Sequence, residues 1–223
     1  MGTAIGDVLP LALGVAISPI PIIATILMLL TPRAGSTATM FLAGWILGIA
    51  VGYTVFVALG SVVDLDSGSD GNPVTATIRI VLGVLLVLLA VKQWRGRPAP
   101  GQTPTMPAWL AAIDKVTPAK ALGLGFALAA VNPKNLLMIV GAAVAVAHLG
   151  VGAGTAVVAG VVFTVLGAVT VAVPVIGYFS ARERATSWLT GLKTWLTANN
   201  AAVMAVLLLV IGVMLIGKGI GGY

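Results

Sequence analysis

The sequence has no cysteine and only one histidine, and these two shortages exclude several kinds of chemistry. Without cysteine there are no disulfides, no thiolate metal sites and no cysteine nucleophile. His148 alone cannot supply a histidine metal site, and its place at the end of an apolar run makes a serine–histidine–aspartate triad implausible. No segment matches the GxxxxGK[ST] phosphate loop of ATPases. We therefore expect no catalytic residue, no metal ion, no cofactor and no enzyme activity.

Charged residues are also scarce in the sequence. Only 8% of the 223 residues are charged and 59% are hydrophobic, whereas a soluble domain is about 25% charged. A chain of this composition cannot cover a water-exposed surface, so it is expected in a membrane with lipids as its surroundings. The net charge of +6 does not indicate nucleic-acid binding, because the basic residues lie at the ends of apolar runs. Carboxylates are nearly missing from those runs, which argues against a cation or metal transporter.

Six apolar runs are long enough to cross a membrane, since a helix needs about 20 apolar residues to span the hydrocarbon core. They cover residues 5–30, 37–63, 74–94, 118–147, 152–179 and 199–217. The second run carries Gly44, Gly48 and Gly52, whose four-residue spacing places them on one face suited to close helix contact. The sequence therefore predicts an all-α integral membrane protein with six transmembrane helices.

The connections divide the chain. Residues 95–117 form the longest polar segment, rich in proline and glycine. The predicted organisation is a first three-helix repeat over residues 1–94, a linker over residues 95–117 and a second, inverted three-helix repeat over residues 118–223. Residues 180–198 are amphipathic, and two interpretations stay open: a short helix lying in the membrane interface, or an extension of a neighbouring span.

Lysine and arginine are unevenly distributed between the two sides of the six runs. One side has only Arg79 and Lys218, and the other has Arg33, Lys92, Arg95, Arg97, Lys115, Lys120, Arg182, Arg184 and Lys193. Such an excess marks the cytoplasmic side. We predict a multi-pass protein of the inner (plasma) membrane with both termini outside and residues 95–117 inside. Residues 1–4 carry no basic side chain, so the first run is expected to stay as a span and not to be cleaved as a signal peptide.

Two of the six runs are interrupted by proline at matching positions. The first contains Ser-Pro-Ile-Pro at residues 18–21, and the fourth contains Asn-Pro-Lys-Asn at residues 132–135. Three spans per unit is an odd number, so the second unit must enter the membrane upside down relative to the first. Interrupted helices at corresponding places point to the binding site of secondary transporters. The sequence thus predicts a 3+3 inverted repeat with proline-broken first and fourth helices.

Lys134 lies deep in the fourth run. A lysine at the centre of a span costs about 2.5–3.5 kcal/mol on insertion scales, so it should face a cavity or a partner. Pro133 frees backbone carbonyls, and Asn132 and Asn135 add polar groups that would suit an anion. We predict Lys134, Asn132 and Asn135 to bind substrate, the alternative being a lysine that snorkels beside a simple kink. On this interpretation Lys134→Met should insert normally, even more stably, while transport stops.

The first break contributes a mirror set. Pro19 and Pro21, two residues apart, cannot both lie in a regular helix, so they and Pro133 are predicted to shape the site. The hydroxyls of Ser18 and Thr25 either satisfy the freed carbonyls or contact substrate, and Ser18 is included among the predicted substrate-binding residues.

Asp7 stands near the external start of the first run. It is a candidate coupling carboxylate, and a solvated charge at a helix start is the alternative. Arg79, near the external start of the third run, is a candidate partner for Asp7 or for the acidic connection before it, and the favoured alternative is a side chain that snorkels to the surface.

The two proline-containing elements also resemble those of a known protein family. The Asn-Pro-Lys element of residues 132–134 resembles that of the lysine-exporter superfamily. Within it, Ser-Pro-Ile-Pro at residues 18–21 followed by Met-Leu-Leu-Thr-Pro-Arg-Ala at residues 28–34 is most similar to the glycopeptidolipid- and sulfolipid-addressing proteins. The likeness covers essentially the whole chain. It implies a polytopic transporter fold that moves envelope lipids or small solutes outward, and it supplies no catalytic residue.

We therefore expect a membrane transporter that exports an anionic or zwitterionic substrate. The resemblance favours a cell-envelope lipid or lipid-linked glycan. The alternatives are an exporter of amino acids or other small solutes, and a non-transporting scaffold that assists a lipid-export complex. The expected partners are membrane lipids and the substrate, with a second copy of the chain or lipid-export machinery as candidates and no nucleic acid. A lateral opening between spans would favour lipid, a closed polar pocket would favour solute, and a packed interior would favour the scaffold.

Overall fold

A computed structural model describes residues 1–62, 73–98, 107–180 and 182–222 of the chain. These residues form α-helices joined by short turns, with one 3₁₀ helix and no β-strand among them, which confirms the all-α prediction for the described part. The acidic connection and the middle of the predicted linker lie outside the described residues. The helices are α1 (Gly2–Ala16), α2 (Pro19–Leu29), α3 (Ala34–Val62), α4 (Pro73–Arg95), the 3₁₀ helix (Ala108–Lys115), α5 (Pro118–Ala130), α6 (Pro133–Ala147), α7 (Ala153–Ser180) and α8 (Arg182–Ile220).

Four of these helices are each long and apolar enough to cross a membrane, namely α3, α4, α7 and α8. The remaining apolar helices form two bent pairs that are long and apolar enough only when taken together. In one pair α1 and α2 meet at 53°, and in the other α5 and α6 meet at 60°. Counting each pair as one span gives six, and counting neither gives four. The chain is thus a membrane protein whose two bent pairs correspond to the two runs predicted to be broken.

Each bend lies where proline removes a donor from the helix ladder. Pro19 is the first residue of α2 and Pro133 the first of α6, a position where the missing N–H is not needed. Between α1 and α2, Ile17 has ψ 72°, outside the helical region, and Ser18 is extended. The helices are therefore interrupted directly before Pro19 and Pro133, as predicted. The prediction that Pro19 and Pro21 cannot share a helix is wrong, because both lie in the first turn of α2, where the missing N–H groups are not needed.

Glycine allows α3 and α5 to pack backbone to backbone. A β-carbon at Gly44 would overlap the carbonyl of Leu122, and one at Gly125 would overlap the carbonyl of Phe41. At Gly48 it would lie 2.8 Å from the carbonyl oxygen of Phe126. The predicted close face of α3 is confirmed at these positions, while Gly52 on the same helix meets Ile139 of α6 instead.

A second close contact joins α4 to α8. A β-carbon at Gly83 would lie 2.6 Å from the carbonyl oxygen of Gly212, and one at Gly212 would lie 2.8 Å from that of Gly83. Gly219 approaches Ala76 in the same way. Small residues at such crossings are the usual means by which membrane helices approach closely, since lipid offers no hydrophobic drive for their association.

The amphipathic stretch over residues 180–198 forms the first half of α8. This helix runs for 39 residues, about 58 Å at 1.5 Å per residue, so the stretch extends the sixth span and is not a separate interface helix. The described side chains keep the amphipathic pattern: Leu189 and Leu196 are buried, whereas Trp188 and Trp195 are exposed. The alternative of an extended span is therefore confirmed, and the helix begins at Arg182, 17 residues before the predicted apolar run of residues 199–217.

The predicted linker is not entirely a polar loop. Its C-terminal part is the 3₁₀ helix, which packs against α2 and buries Leu110 and Ile113 in the apolar core. The two ends of the chain meet on the opposite side of the fold, where Lys218 near the end of α8 contacts Asp7 near the start of α1. An even number of crossings requires the ends to share one side, and this contact satisfies that condition.

Candidate functional site

The two helix breaks meet at Lys134. Its ammonium Nζ donates to the carbonyl of Gly14 at 2.6 Å, to the carbonyl of Ile17 at 3.3 Å and to Oγ of Ser18 at 2.5 Å. An ammonium has three donors, so all three are used. The side chain is 5% exposed. The predicted proximity of the two breaks is thereby confirmed, with Lys134 of the second break inserted into the first.

The end of α1 has four carbonyls that the helix itself cannot satisfy. Pro19 has no N–H for the carbonyl of Val15, and Pro21 has none for that of Ile17. The Ser18 hydroxyl donates to Val15 at 2.6 Å, and Thr170 of α7 donates to Ala16 at 2.5 Å. Lys134 takes the remaining two, those of Gly14 and Ile17. Every carbonyl freed by the proline break therefore has a partner, as hydrocarbon surroundings demand.

The asparagines at the second break stabilise its turn. The side-chain oxygen of Asn132 accepts from the backbone N–H of Lys134 at 3.1 Å, which caps α6. Asn135 is fully buried and donates to the carbonyl of Leu128 in α5 at 2.9 Å. Its oxygen lies 3.5 Å from Oγ of Ser18. All four residues predicted to bind substrate are thus in one cluster, where they bind one another and the backbone.

The electrostatics of this cluster come from helix ends. Lys134 lies in the first turn of α6, where the positive end of the helix dipole disfavours a cation. The carbonyls at the end of α1 supply the negative end of another dipole, which offsets that cost. Within the described residues the ammonium contacts only neutral oxygens and no carboxylate. The buried charge is therefore held by carbonyls and a hydroxyl alone.

The second break is also accessible from outside the fold. Val131 and Pro133 are exposed and Asn132 is half-buried, although Lys134 and Asn135 directly behind them are buried.

Two apolar grooves open at the surface of the helix bundle. One, of about 590 Å³, lies between α1 and α8 and includes Leu13, Ile17, Val206 and Val210. It reaches the first break, because the carbonyl of Ile17 is a partner of Lys134. The other, of about 610 Å³, lies between α3 and α7 beside Tyr53, Thr54 and Thr164.

Asp7 forms an ion pair with Lys218, at 2.5 Å between Oδ1 and Nζ. Arg79 was only one candidate partner for Asp7, and the ion pair that the structure describes for Asp7 is with Lys218. Arg79 of α4 lies within Coulombic range of Asp7 instead. The close crossing of Gly219 with Ala76 and Ile80 explains why α8 brings Lys218 to this place.

Sequence reasoning missed the residues that satisfy α1 from a distance. The sequence shows that each proline leaves one carbonyl without its helical donor, and that Thr170 places a hydroxyl inside an apolar run. It does not show which distant side chain donates to which carbonyl. Thr25, by contrast, satisfies the carbonyl of Pro21 at 2.9 Å, as its position four residues later predicts.

Comparison with known proteins gives one match. No curated protein and no solved structure is significantly similar to the chain. A family described as Sap, sulfolipid-1-addressing protein, matches residues 8–221, which is nearly the entire chain and includes both breaks and the carbonyls that Lys134 binds. The chain therefore belongs to the sulfolipid-1-addressing protein family.

Proposed function

We propose that this protein moves an anionic or zwitterionic cell-envelope lipid, or a lipid-linked glycan, across the inner membrane. The observation that carries the proposal is the joining of two interrupted membrane helices through Lys134, at the end of an apolar groove open to the surface. The family's description names a sulfolipid, and a sulfo group is anionic. No catalytic step is part of the proposal.

The shape and lining of the grooves support a lipid over a small solute. A solute exporter needs an enclosed site with several polar groups to fix the substrate. The α1–α8 groove is lined by residues such as Pro10, Leu13 and Val206, all apolar, and it opens laterally between helices. Such an opening admits an acyl chain from the bilayer. A scaffold that moves no substrate would have no evident use for the buried cation of Lys134.

Lys134 is the proposed switch between substrate and protein. In the described conformation its donors bind α1. An anionic headgroup at the exposed turn of residues 131–133 would compete for the same ammonium, with Asn132, Asn135 and Ser18 exchanging partners around it. Hydrogen bonds to a charged group are worth about 1.5–3 kcal/mol each, so the exchange needs an anion and not merely a polar group. Asp7, already paired with Lys218, is the proposed coupling carboxylate.

The helix contacts support an inverted 3+3 repeat as the frame for this exchange. If α1 to α4 correspond to α5 to α8, then the packing of α3 on α5 has its counterpart in that of α7 on α1. Likewise the packing of α2 on α8 has its counterpart in that of α6 on α4. The contacts of α4 with α8 and of α3 with α7 each join two corresponding helices, so each is its own counterpart. This architecture is the basis for proposing a relation to the lysine exporters, and for alternating access by movement of one unit against the other.

The orientation follows from the distribution of basic residues. We expect a cysteine at Thr3 to react with an impermeant maleimide added to intact cells, and a cysteine at Ser36 to react only after the membrane is opened. Both positions are exposed, and the protein has no other cysteine. Labelling of both from the same side would contradict the crossing of α1 and α2 as one span, and labelling in the reverse order would contradict the outside location of the termini.

Lipid movement itself is the direct test. The purified protein is reconstituted into vesicles with phosphatidylglycerol or phosphatidylcholine carrying a fluorophore on the headgroup, and an impermeant reductant reports which leaflet holds the label. We expect the protein to accelerate movement of phosphatidylglycerol, and Lys134→Met to abolish this at equal protein content. Lys120→Met is the control, since Lys120 is exposed at the start of α5. Efflux of entrapped amino acids without lipid movement would favour the solute exporter, and neither activity would favour the scaffold.

A further inference from the structure

The α1–α8 groove lies between a group of charged residues beyond one end and the first helix break at the other. From α1 the groove is lined by Pro10, Leu13 and Ile17, spaced three and four residues apart on one helix face. One turn before Pro10 on the same face is Asp7. From α8 the lining continues through Val206 and Ile211 toward Lys218, seven residues beyond Ile211 and again on the same face.

The charges at this end favour an anion. Lys218 and Arg79 carry two positive charges beside the single negative charge of Asp7. Lys218 is 37% exposed at its side chain, and its contact with Asp7 uses one of the three donors of the ammonium. A headgroup phosphate or sulfate can therefore bind here without breaking the ion pair.

The distance from the charged residues to the far end of the groove matches the depth of one leaflet. Asp7 and Ile17 are ten residues apart in α1, which is about 15 Å at 1.5 Å per residue. This is half of the roughly 30 Å hydrocarbon core. Within this distance the groove is lined from Pro10 to Ile17, and its Leu13 and Val206 are more than half exposed, so it presents apolar surface to the bilayer.

We infer that the α1–α8 groove is an acyl-chain site for an anionic lipid of the outer leaflet, with the headgroup at Lys218 and Arg79 and the chain end at Ile17. This assignment rests on the proposed function for the direction of movement, because the groove would then be where the lipid leaves the protein. The chain end would lie against the residue whose carbonyl binds Lys134. A lipid chain in the groove would therefore directly contact the first helix break at Ile17.

The test uses phosphatidylglycerol with a photoreactive diazirine at the end of one acyl chain, added to the full-length protein in phosphatidylcholine nanodiscs. Crosslinks are expected at residues 13–17 of α1 and residues 202–206 of α8, and a headgroup-labelled probe should react near Asp7 and Lys218. Val206→Trp should remove most of the chain-end crosslinks, because the indole fills the groove. Val81→Trp is the matched control, a half-exposed valine on α4 outside both grooves.

The headgroup part is tested separately. Lys218→Gln should reduce the preference for phosphatidylglycerol over a phosphatidylcholine probe by about fivefold, the equivalent of roughly 1 kcal/mol for one lysine near an anionic headgroup. Lys218→Arg should keep the preference. Equal crosslinking of both probes to the parent would overturn the headgroup assignment, and crosslinks spread evenly onto exposed α4 residues such as Val84 and Leu88 would overturn the groove.

The translocation assay separates this inference from the proposed function. If Val206→Trp loses the crosslinks and still moves phosphatidylglycerol as fast as the parent, the groove is not on the route and the inference fails alone. If the crosslinks map to the groove in a parent protein that moves no lipid, the site stands and the proposed function fails.

Discussion

Replacing Lys134 with methionine is expected to lower the free energy of unfolding by about 2–4 kcal/mol, because a buried carbonyl left without a partner costs about 1–3 kcal/mol. The carbonyls of Gly14 and Ile17 both lose their donor in this variant, and Ser18 loses its contact with the ammonium. Pro19 and Pro21 have no N–H, so neither of them can replace the lost donor. The measurement is the thermal unfolding midpoint of the purified protein in mild detergent.

This expectation reverses the one drawn from the sequence. A buried lysine without a known partner is a cost, so removing it should help. Once the partners are known, the cost of burying the ammonium is offset by three hydrogen bonds and the negative end of α1. The methionine keeps the apolar stem and abolishes only these interactions.

Two further variants make the result specific. Lys120→Met should change the unfolding free energy by less than about 0.5 kcal/mol, as surface substitutions usually do. Ser18→Ala should fall between the two, because Val15 loses its donor while Lys134 keeps both carbonyls. A Lys134→Met protein as stable as the parent would show that the ammonium does not hold the first break.

Replacing Gly125 with leucine is expected to prevent α3 and α5 from packing. The new β-carbon would overlap the carbonyl of Phe41 and lie 2.9 Å from the backbone nitrogen of Trp45. Backbone atoms cannot move aside as a flexible side chain can, so the helices must separate. We expect a loss of more than about 3 kcal/mol, beyond ordinary overpacking, and little monodisperse protein in size-exclusion chromatography.

Gly123 provides the matched control two residues earlier in the same helix. A β-carbon there meets nothing within 4 Å. Gly123→Leu should therefore be neutral or stabilise the protein by about 0.5–1 kcal/mol, since glycine is a poor helix former. If the two leucine variants behaved alike, the close approach of α3 and α5 would be refuted.

The sequence predicted the helices and breaks well because both depend on local chemistry. Apolar runs set the ends of the first five spans to within a few residues, and Pro19 and Pro133 determine where the bends lie. The same local logic failed at residues 180–198, where an amphipathic pattern is compatible with either an interface helix or an extended span. Only the continuous helix from Arg182 to Ile220 decides between them.

The sequence predicted which residues form the candidate site, but it did not predict which atoms they contact. Lys134, Asn132, Asn135 and Ser18 do lie together, since Lys134 binds Ser18 across the two breaks and the asparagines flank it. Their partners are backbone carbonyls, and a carbonyl has no signature in a sequence. The same reason explains why Lys218 was not assigned to Asp7: the pairing depends on how α8 crosses α4, which Gly83, Gly212 and Gly219 determine through close contacts.

The carbonyls at the end of α1 accept hydrogen bonds from residues that the ribosome adds much later. Lys134 comes 120 residues after Gly14, and Thr170 comes 154 residues after Ala16. At about 5–20 residues per second, roughly 6–24 s pass between the synthesis of Gly14 and that of Lys134. Ser18 donates locally to the carbonyls of Val15 and Ala16. During this interval the carbonyls of Gly14 and Ile17 must therefore stay hydrated or against the insertion machinery, because dry lipid would leave each unsatisfied at several kcal/mol. A nascent chain arrested before residue 134 is therefore a fragment that cannot settle in the bilayer, and membrane proteases have a physical basis for recognising it.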